Sequence, residues 1–233
     1  GEEEPTWQIR ADQVTHDSEE QTVKYKNVRL EVAGVPVFYS PYFAHPDPTV
    51  RARTGVLPPN RLGRSTELGA FIQIPYYWNI SDQQDFTFEP LITSREGVVF
   101  AGTHRLHVGN GIFETTGSFA NVNERDNNFI KTGDHEIRGH VFSKGAFELH
   151  SLDQFGGDWQ WDYAVRWVSD DTYLRRYYDD KSDVLESHAK IERFWDRNYA
   201  TVGTYIFQGL DEEDDIGLTG QALPSFNLNL NKD

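Results

Sequence analysis

Between Leu68 and Glu96, apolar and polar residues alternate in two successive runs, the period of two β-strands joined by a polar turn. Leu68, Ala70, Ile72, Ile74, Tyr76 and Trp78 fall on one face. Glu67, Gly69, Gln73 and Tyr77 fall on the other, with Phe71 the apolar exception. After the turn at residues 81–85, Phe86, Phe88 and Ile92 share a face opposite Thr87, Glu89 and Thr93. Each run carries one proline in its interior, Pro75 and Pro90. Proline has no backbone N–H to give to a ladder, so it is normally confined to edges, first positions and bulges. Two neighbouring strands that both carry one predict a weakened seam.

The same period continues downstream. Residues 98–108 and 112–122 flank Asn110-Gly111, a strong hairpin signal because both central residues of a type I′ turn need positive φ. A polar loop at 123–134 precedes a strand at 135–142, and Ser143-Lys144-Gly145 reads as a turn into a strand at 146–152. Trp159, Trp161, Tyr163, Val165 and Trp167 alternate with Gln160, Asp162, Ala164 and Arg166. Residues 184–195 and 199–210 form a further hairpin, followed by the acidic run 211–215. This predicts nine or ten strands in an antiparallel meander. Ahead of it, residues 1–4 read as a frayed start, and residues 7–43 as short strands separated at 16–20 and 33–34. Four short strands are too few for a stable domain and predict the end of a larger sheet stack. Residues 41–64 hold five of the chain's ten prolines and read as an extended linker. The expected divisions are therefore 1–45, 46–64 and 65–233.

Composition sharpens this all-β picture. Hydrophobic residues make up only 37% and aromatics 14% of the chain, and no run of about 18 apolar residues exists to form a transmembrane helix. A barrel strand needs only about 9–11 residues and alternates lipid-facing with lumen-facing side chains, so low hydropathy is compatible with a membrane barrel. Tryptophans on one face of 159–167 and charges on the other suit lipid outside and water inside. A net charge of −15 disfavours nucleic acid as a partner. The absence of cysteine excludes disulfides, Cys-ligated zinc and a thiol nucleophile. The sequence shows no signal peptide and no methionine, which suggests an excised segment.

Candidate chemistry is sparse. His104 and His107 are three apart and His135 and His140 five apart, which on strands puts each pair on opposite faces. No metal site is expected. Asp158 with Asp162, or Glu186 with Glu192, offers carboxylates for acid–base work, but nothing in the sequence sets the separation or raised pKa that a catalytic pair needs. The run Asp211-Glu212-Glu213-Asp214-Asp215 lacks the ligand spacing of a calcium loop and reads as solvated. No catalytic residue and no cofactor are expected.

IPYYWNI (74–80), DFTFEP (85–90) and the SREG turn (94–97) resemble the start of the outer-membrane barrel in the LPS-assembly protein LptD family. GVPVFYSPYF (34–43) and RTGVLP (53–58) are similar to the segment joining that family's periplasmic jelly roll to its barrel. The resemblance spans roughly residues 5 to 110 and continues more weakly to LPSF, near Phe226. It implies the end of a β-jelly roll over 1–45, a Pro-rich linker over 46–64, and the N-terminal strands of an incomplete outer-membrane β-barrel over 65–233. It further implies lipopolysaccharide transport into the outer leaflet, Pro75 and Pro90 as a lateral gate, and Trp159, Trp161, Tyr163 and Trp167 as a lipid-facing girdle. The partners implied are lipopolysaccharide, an LptE-like lipoprotein plug and an LptA-like jelly-roll bridge, at the outer membrane with the N-terminal part in the periplasm. Family members often carry disulfides between jelly roll and barrel, which this chain cannot form. The alternatives are a general outer-membrane porin, which needs neither jelly roll nor proline pair, and a soluble β-sandwich carbohydrate-binding protein.

Overall fold

A computed structural model describes residues 7–17, 22–32, 35–46, 53–125, 131–211 and 220–230. The fold is all-β and antiparallel, in two sheets. The first contains β1 (Trp7–Arg10), β2 (Gln13–Asp17), β3 (Thr22–Val32) and β4 (Val35–Pro46). Strand β3 is central, with β1 and β2 sharing one of its edges and β4 along the other. Residues 22–32 form one continuous strand. Asn27 adopts positive φ (52°) without ending the ladder, and its side chain is tied to Asp12 and Tyr39 at 2.9 and 2.8 Å. Strand β4 also runs through Pro41, into the segment expected to be a linker.

The second sheet begins with β5 (Gly55–Val56), β6 (Arg61–Ser65), β7 (Gly69–Gln73), β8 (Tyr76–Ser81), β9 (Gln84–Phe88) and β10 (Leu91–Thr93). It continues through β11 (Gly97–Val108), β12 (Gly111–Arg125), β13 (Lys131–Glu148), β14 (Asp158–Val168), β15 (Val184–Trp195), β16 (Asn198–Gly209) and β17 (Gly220–Asn229). From β11 onwards, each strand pairs with the next in sequence, the meander that the alternation predicts. Strands β5 and β6 pair with β8 and β7, so residues 55–56 and 61–64 of the proline-rich segment carry ladder bonds.

Three expectations are corrected. Ser143-Lys144-Gly145 is not a turn: β13 runs through it, with Ser143 opposite Thr115 on one side and Val165 on the other. Here glycine provides space instead of a bend. A Cβ on Gly145 would lie 2.6 Å from the Tyr163 ring and 2.7 Å from the Phe147 ring, closer than real contacts allow. The strand expected at 146–152 ends at Glu148 and gives way to a 3-10 segment, His150–Phe155. The loop expected at 123–134 narrows, because β12 reaches Arg125 and β13 starts at Lys131. Residues 1–4 and 212–215 lie outside the described residues.

A short helix, α1 (Tyr173–Tyr178), interrupts the connection between β14 and β15 and closes on Asp179 in the left-handed conformation. It buries Tyr173, Leu174 and Tyr177 against Leu68, Leu91, Val99, Ala120, Val122, Val168, Leu185 and Leu210. Burying an aliphatic side chain of this size contributes roughly 1.5–3 kcal/mol, so this cluster anchors the helix to one face of the sheet. The opposite face is apolar and uncovered: Phe100, Phe119, Val141 and Trp167 are 43–54% exposed. Phe88, Phe100 and Phe119 stack across that face at 6.4 and 5.3 Å between centroids. Phe71, the exception in the sequence pattern, packs with the covered core, while Ile92, Tyr76, Trp78 and Ile80 stay on the uncovered side.

Candidate functional site

Pro75 and Pro90 sit at the same height in neighbouring strands. Each ends a strand instead of lying within one: β7 stops at Gln73 and β8 resumes at Tyr76, while β9 stops at Phe88 and β10 resumes at Leu91. Register is nevertheless kept. Gln73 faces Leu91 below the gap and Tyr76 faces Phe88 above it, which puts Ile74 opposite Pro90 and Pro75 opposite Glu89. Two donors are missing from adjacent positions, and both lines lapse from ladder geometry together.

A third break lies beside them. Strands β5 and β6 are separated by Leu57-Pro58-Pro59-Asn60, and four residues there oppose only Ile74 and Pro75. The mismatch is a two-residue bulge at the outermost strand line, which pairs on one side alone among the described residues. The breaks end at β11, which runs unbroken past them and receives the Glu89 N–H at Ala101 O, 2.7 Å away.

Side chains fill in for the lost ladder. The buried Gln73 donates from Nε2 to Glu89 O at 2.9 Å, and Asn60 donates from Nδ2 to Glu89 Oε1 at 3.1 Å. Thr103 donates to Glu89 Oε2 at 3.3 Å. Leu57 N–H reaches Pro75 O at 2.8 Å, and Asn60 N–H reaches Gln73 O at 3.2 Å. The seam is therefore held by a few polar side chains around Glu89 in place of a regular ladder.

On the covered face, the β14–β15 connection is tied down by charge. The buried Arg138 forks onto Asp170, with Nε 2.7 Å from Oδ2 and Nη2 on Oδ1, and also reaches Thr172 Oγ1 at 2.6 Å. Burial works against the Asp170 carboxylate. Arg138, Ser169 and Thr172 outweigh it and hold the group below the ordinary carboxylate range. Ser118 lies 2.7 Å from both His140 Nδ1 and the Tyr173 hydroxyl. Burial raises the Tyr173 and Tyr177 hydroxyls above their ordinary values.

Farther along the same face, Asp162 meets His188 at 2.9 Å and Lys190 at 3.3 Å, and Lys190 meets Glu192 at 2.9 Å. Tyr199 donates to Glu192, and Glu186 lies 3.4 Å from His188. Of the carboxylates weighed as acid–base pairs, Asp162, Glu186 and Glu192 thus belong to a continuous charge-paired cluster, while Asp158 is exposed at the start of β14. Trp159, Trp161, Tyr163 and Trp167 take the other face of β14. Trp161 lies 5.1 Å from the Phe147 ring and 5.5 Å from Tyr163, Trp159 lies under the Arg193 guanidinium at 5.1 Å, and Trp167 is 52% exposed. Structure brings Pro75 and Pro90 together and puts these four aromatics elsewhere, several strands away.

Sequence reasoning missed the Pro58-Pro59 bulge, the Gln73–Glu89 contact and α1. For α1 a signal existed: Tyr173, Leu174 and Tyr177 stand at the i, i+1, i+4 spacing of a helix face. Nothing local marks Gln73, whose role depends on a partner 16 residues away.

Comparisons with known proteins match the chain along most of its length. The LptD family, described as LPS transport system D, matches residues 143–233. An LPS-assembly protein LptD of Legionella pneumophila (strain Paris) is 28% identical over 90% of this chain and 25% of its own length. That of Xanthomonas euvesicatoria pv. vesicatoria is 30% identical over 75% of this chain and 20% of its own. That of Salmonella typhimurium is 28% identical over 96% and 28%. The chain thus spans about a quarter of the length of these curated relatives. With matches that run through both the broken seam and the long strands after it, this chain belongs to the LPS-assembly protein LptD family.

Proposed function

We propose that this chain takes part in moving lipopolysaccharide into the outer leaflet of the outer membrane, and that the proline seam is where the wall opens sideways. No covalent bond is made or broken. Residues 55–233 supply the first strands of the barrel, with β5 and β6 as its outermost line, residues up to 46 end a periplasmic jelly roll that offers acyl chains an apolar path, and the stretch between joins the two. Trp159, Trp161, Tyr163 and Trp167 face lipid, and the Asp162–His188–Lys190–Glu192 cluster faces a hydrated lumen. An LptE-like lipoprotein plug and an LptA-like bridge are its expected partners.

One observation carries the reading: three neighbouring strand lines, the outermost included, lose their ladder at one height, each at proline. A wall meant only to be tight gains nothing from this. Each net ladder bond is worth about 0.5–1.5 kcal/mol, so the local loss lowers the cost of separating the strands. A membrane location follows from the uncovered apolar face, since a patch of that extent in water invites association.

The test replaces Pro75 and Pro90 with threonine, singly and together, in the full-length protein. Surface lipopolysaccharide should fall, most in the double variant, while the amount of folded barrel stays the same or rises. Normal export through a well-folded P75T/P90T barrel would leave the prolines as bulge residues without a role in release.

A further inference from the structure

Arg61 joins the outermost strand to a loop from the middle of the sheet. It stands at the start of β6, directly after the Leu57–Asn60 break and opposite Gln73. Its Nη2 donates to the backbone carbonyl of Tyr177 in α1 at 2.8 Å, a contact between residues 116 apart in sequence. Its guanidinium also lies between two rings, 5.6 Å from the centroid of Phe71 and 5.6 Å from that of Tyr178. Strand β6 has only β7 as a ladder partner among the described residues. The loop has many anchors: the Arg138–Asp170 fork to β13, the Ser118–Tyr173 contact to β12, and the core under Tyr173, Leu174 and Tyr177. Residues 169–183 therefore reach from β13 and β14, on the covered face, as far as the outermost strand.

We infer that residues 169–183 are a clasp on the seam, with Arg61 as its catch: the outermost strand swings away only when Arg61 leaves α1. This inference rests on lateral opening as proposed above and assigns that opening its restraint. The geometry suits a catch that releases. A carbonyl oxygen and two ring faces hold the guanidinium without a carboxylate, so no full charge pair must be broken. Arg61 Nη1 is also buried without a hydrogen-bond partner, so the closed state leaves a donor unsatisfied that water would satisfy on opening. Arg61 is thus a positioning residue, acting on the seam through α1.

Two experiments in the full-length protein test the clasp. In the first, Arg61→Gln removes the charge and the fork and, being shorter, no longer reaches the Tyr177 carbonyl. The seam should leak, seen as a severalfold fall in the inhibitory concentration of a large antibiotic that intact outer membranes exclude, at unchanged barrel abundance. Arg61→Lys retains the cation and should restore part of the barrier. In the second, Arg61→Cys and Tyr178→Cys are bridged by a short bismaleimide in the folded barrel. Bridging should cut lipopolysaccharide export severalfold relative to the unbridged pair. Wild-type antibiotic exclusion in Arg61→Gln, or undiminished export through the bridged barrel, overturns the clasp. If Arg61→Gln fails to fold, the bridged pair decides alone. Should the P75T/P90T barrel block export while both clasp tests are silent, the gate stands without its clasp. Should all three be silent, lateral opening itself is the reading that failed.

Discussion

The side-chain amide of Gln73 donates to the backbone carbonyl of Glu89 at 2.9 Å, across the gap that Pro75 and Pro90 leave between their strands. Gln73 is 5% exposed, so water does not readily replace this bond. Removing it strands a carbonyl in a protected place, which costs about 1–3 kcal/mol. Gln73→Leu keeps much of the volume and loses the donor. Its thermal midpoint in detergent should fall, and the seam should separate more readily, seen as greater passage of large antibiotics. A Gln73→Leu barrel as stable and as tight as the parent would show that the contact is incidental.

The four aromatics on β14 make a separate prediction about orientation. Trp161 and Asp162 point to opposite sides of the strand, Trp161 onto Phe147 and Asp162 onto His188 and Lys190. In a full-length protein whose sole tryptophan is Trp161, quenchers attached to lipid tails should reduce its emission. A tryptophan placed by Asp162→Trp, again alone, should respond to water-soluble quenchers instead. The reverse pattern would turn the sheet inside out.

Local signals carried the long strands well and the cross-strand features poorly. The limits of β15 match the hydrophobic alternation to the residue, and β14 differs by one at each end, because a two-residue period is written in the strand itself. Gly145 misled because a glycine that makes room for the Tyr163 ring looks, in sequence, like a glycine that makes a turn. Pro75 and Pro90 were legible as weak points. That they break the strands at one height follows from register, which depends on turn lengths and partners. The prolines of the third break read as linker in the sequence, because β5 and β6 are too short to show alternation.

Acid should probe the anchor of the α1 loop. The Asp170 carboxyl is held below its ordinary range, so its contribution to stability is fully present above the unfolded value, about 3.9, and is lost as pH falls through the lower folded value. Little should change between pH 7 and 5, and the loss should come in stronger acid. Asp170→Asn removes the charge at every pH and leaves the buried Arg138 without its partner, a loss of about 3–5 kcal/mol for a pair of this kind. The gap in melting temperature between parent and Asp170→Asn should therefore be wide at neutral pH and narrow in acid. A gap that does not change with pH would mean that Asp170 acts through shape alone.

The two extra residues at the outermost strand offer the sharpest test of what the breaks are for. Val56 pairs with Tyr76 and Arg61 with Gln73, so residues 57–60 span a stretch that two residues would fill. Deleting Pro58 and Pro59 lets Leu57 and Asn60 face Pro75 and Ile74 in one unbroken register. The N–H groups of Leu57 and Asn60 already reach Pro75 O and Gln73 O, so the deletion straightens the line while adding at most a bond or two, about 0.5–1.5 kcal/mol each. A straight outermost strand should bend less easily away from its neighbour, whatever its net gain in stability. Export of lipopolysaccharide should fall while the heat resistance of the folded barrel holds or rises. If export persists at the parental rate in a barrel of equal or greater stability, the bulge only sets register, and opening must depend on the breaks at Pro75 and Pro90.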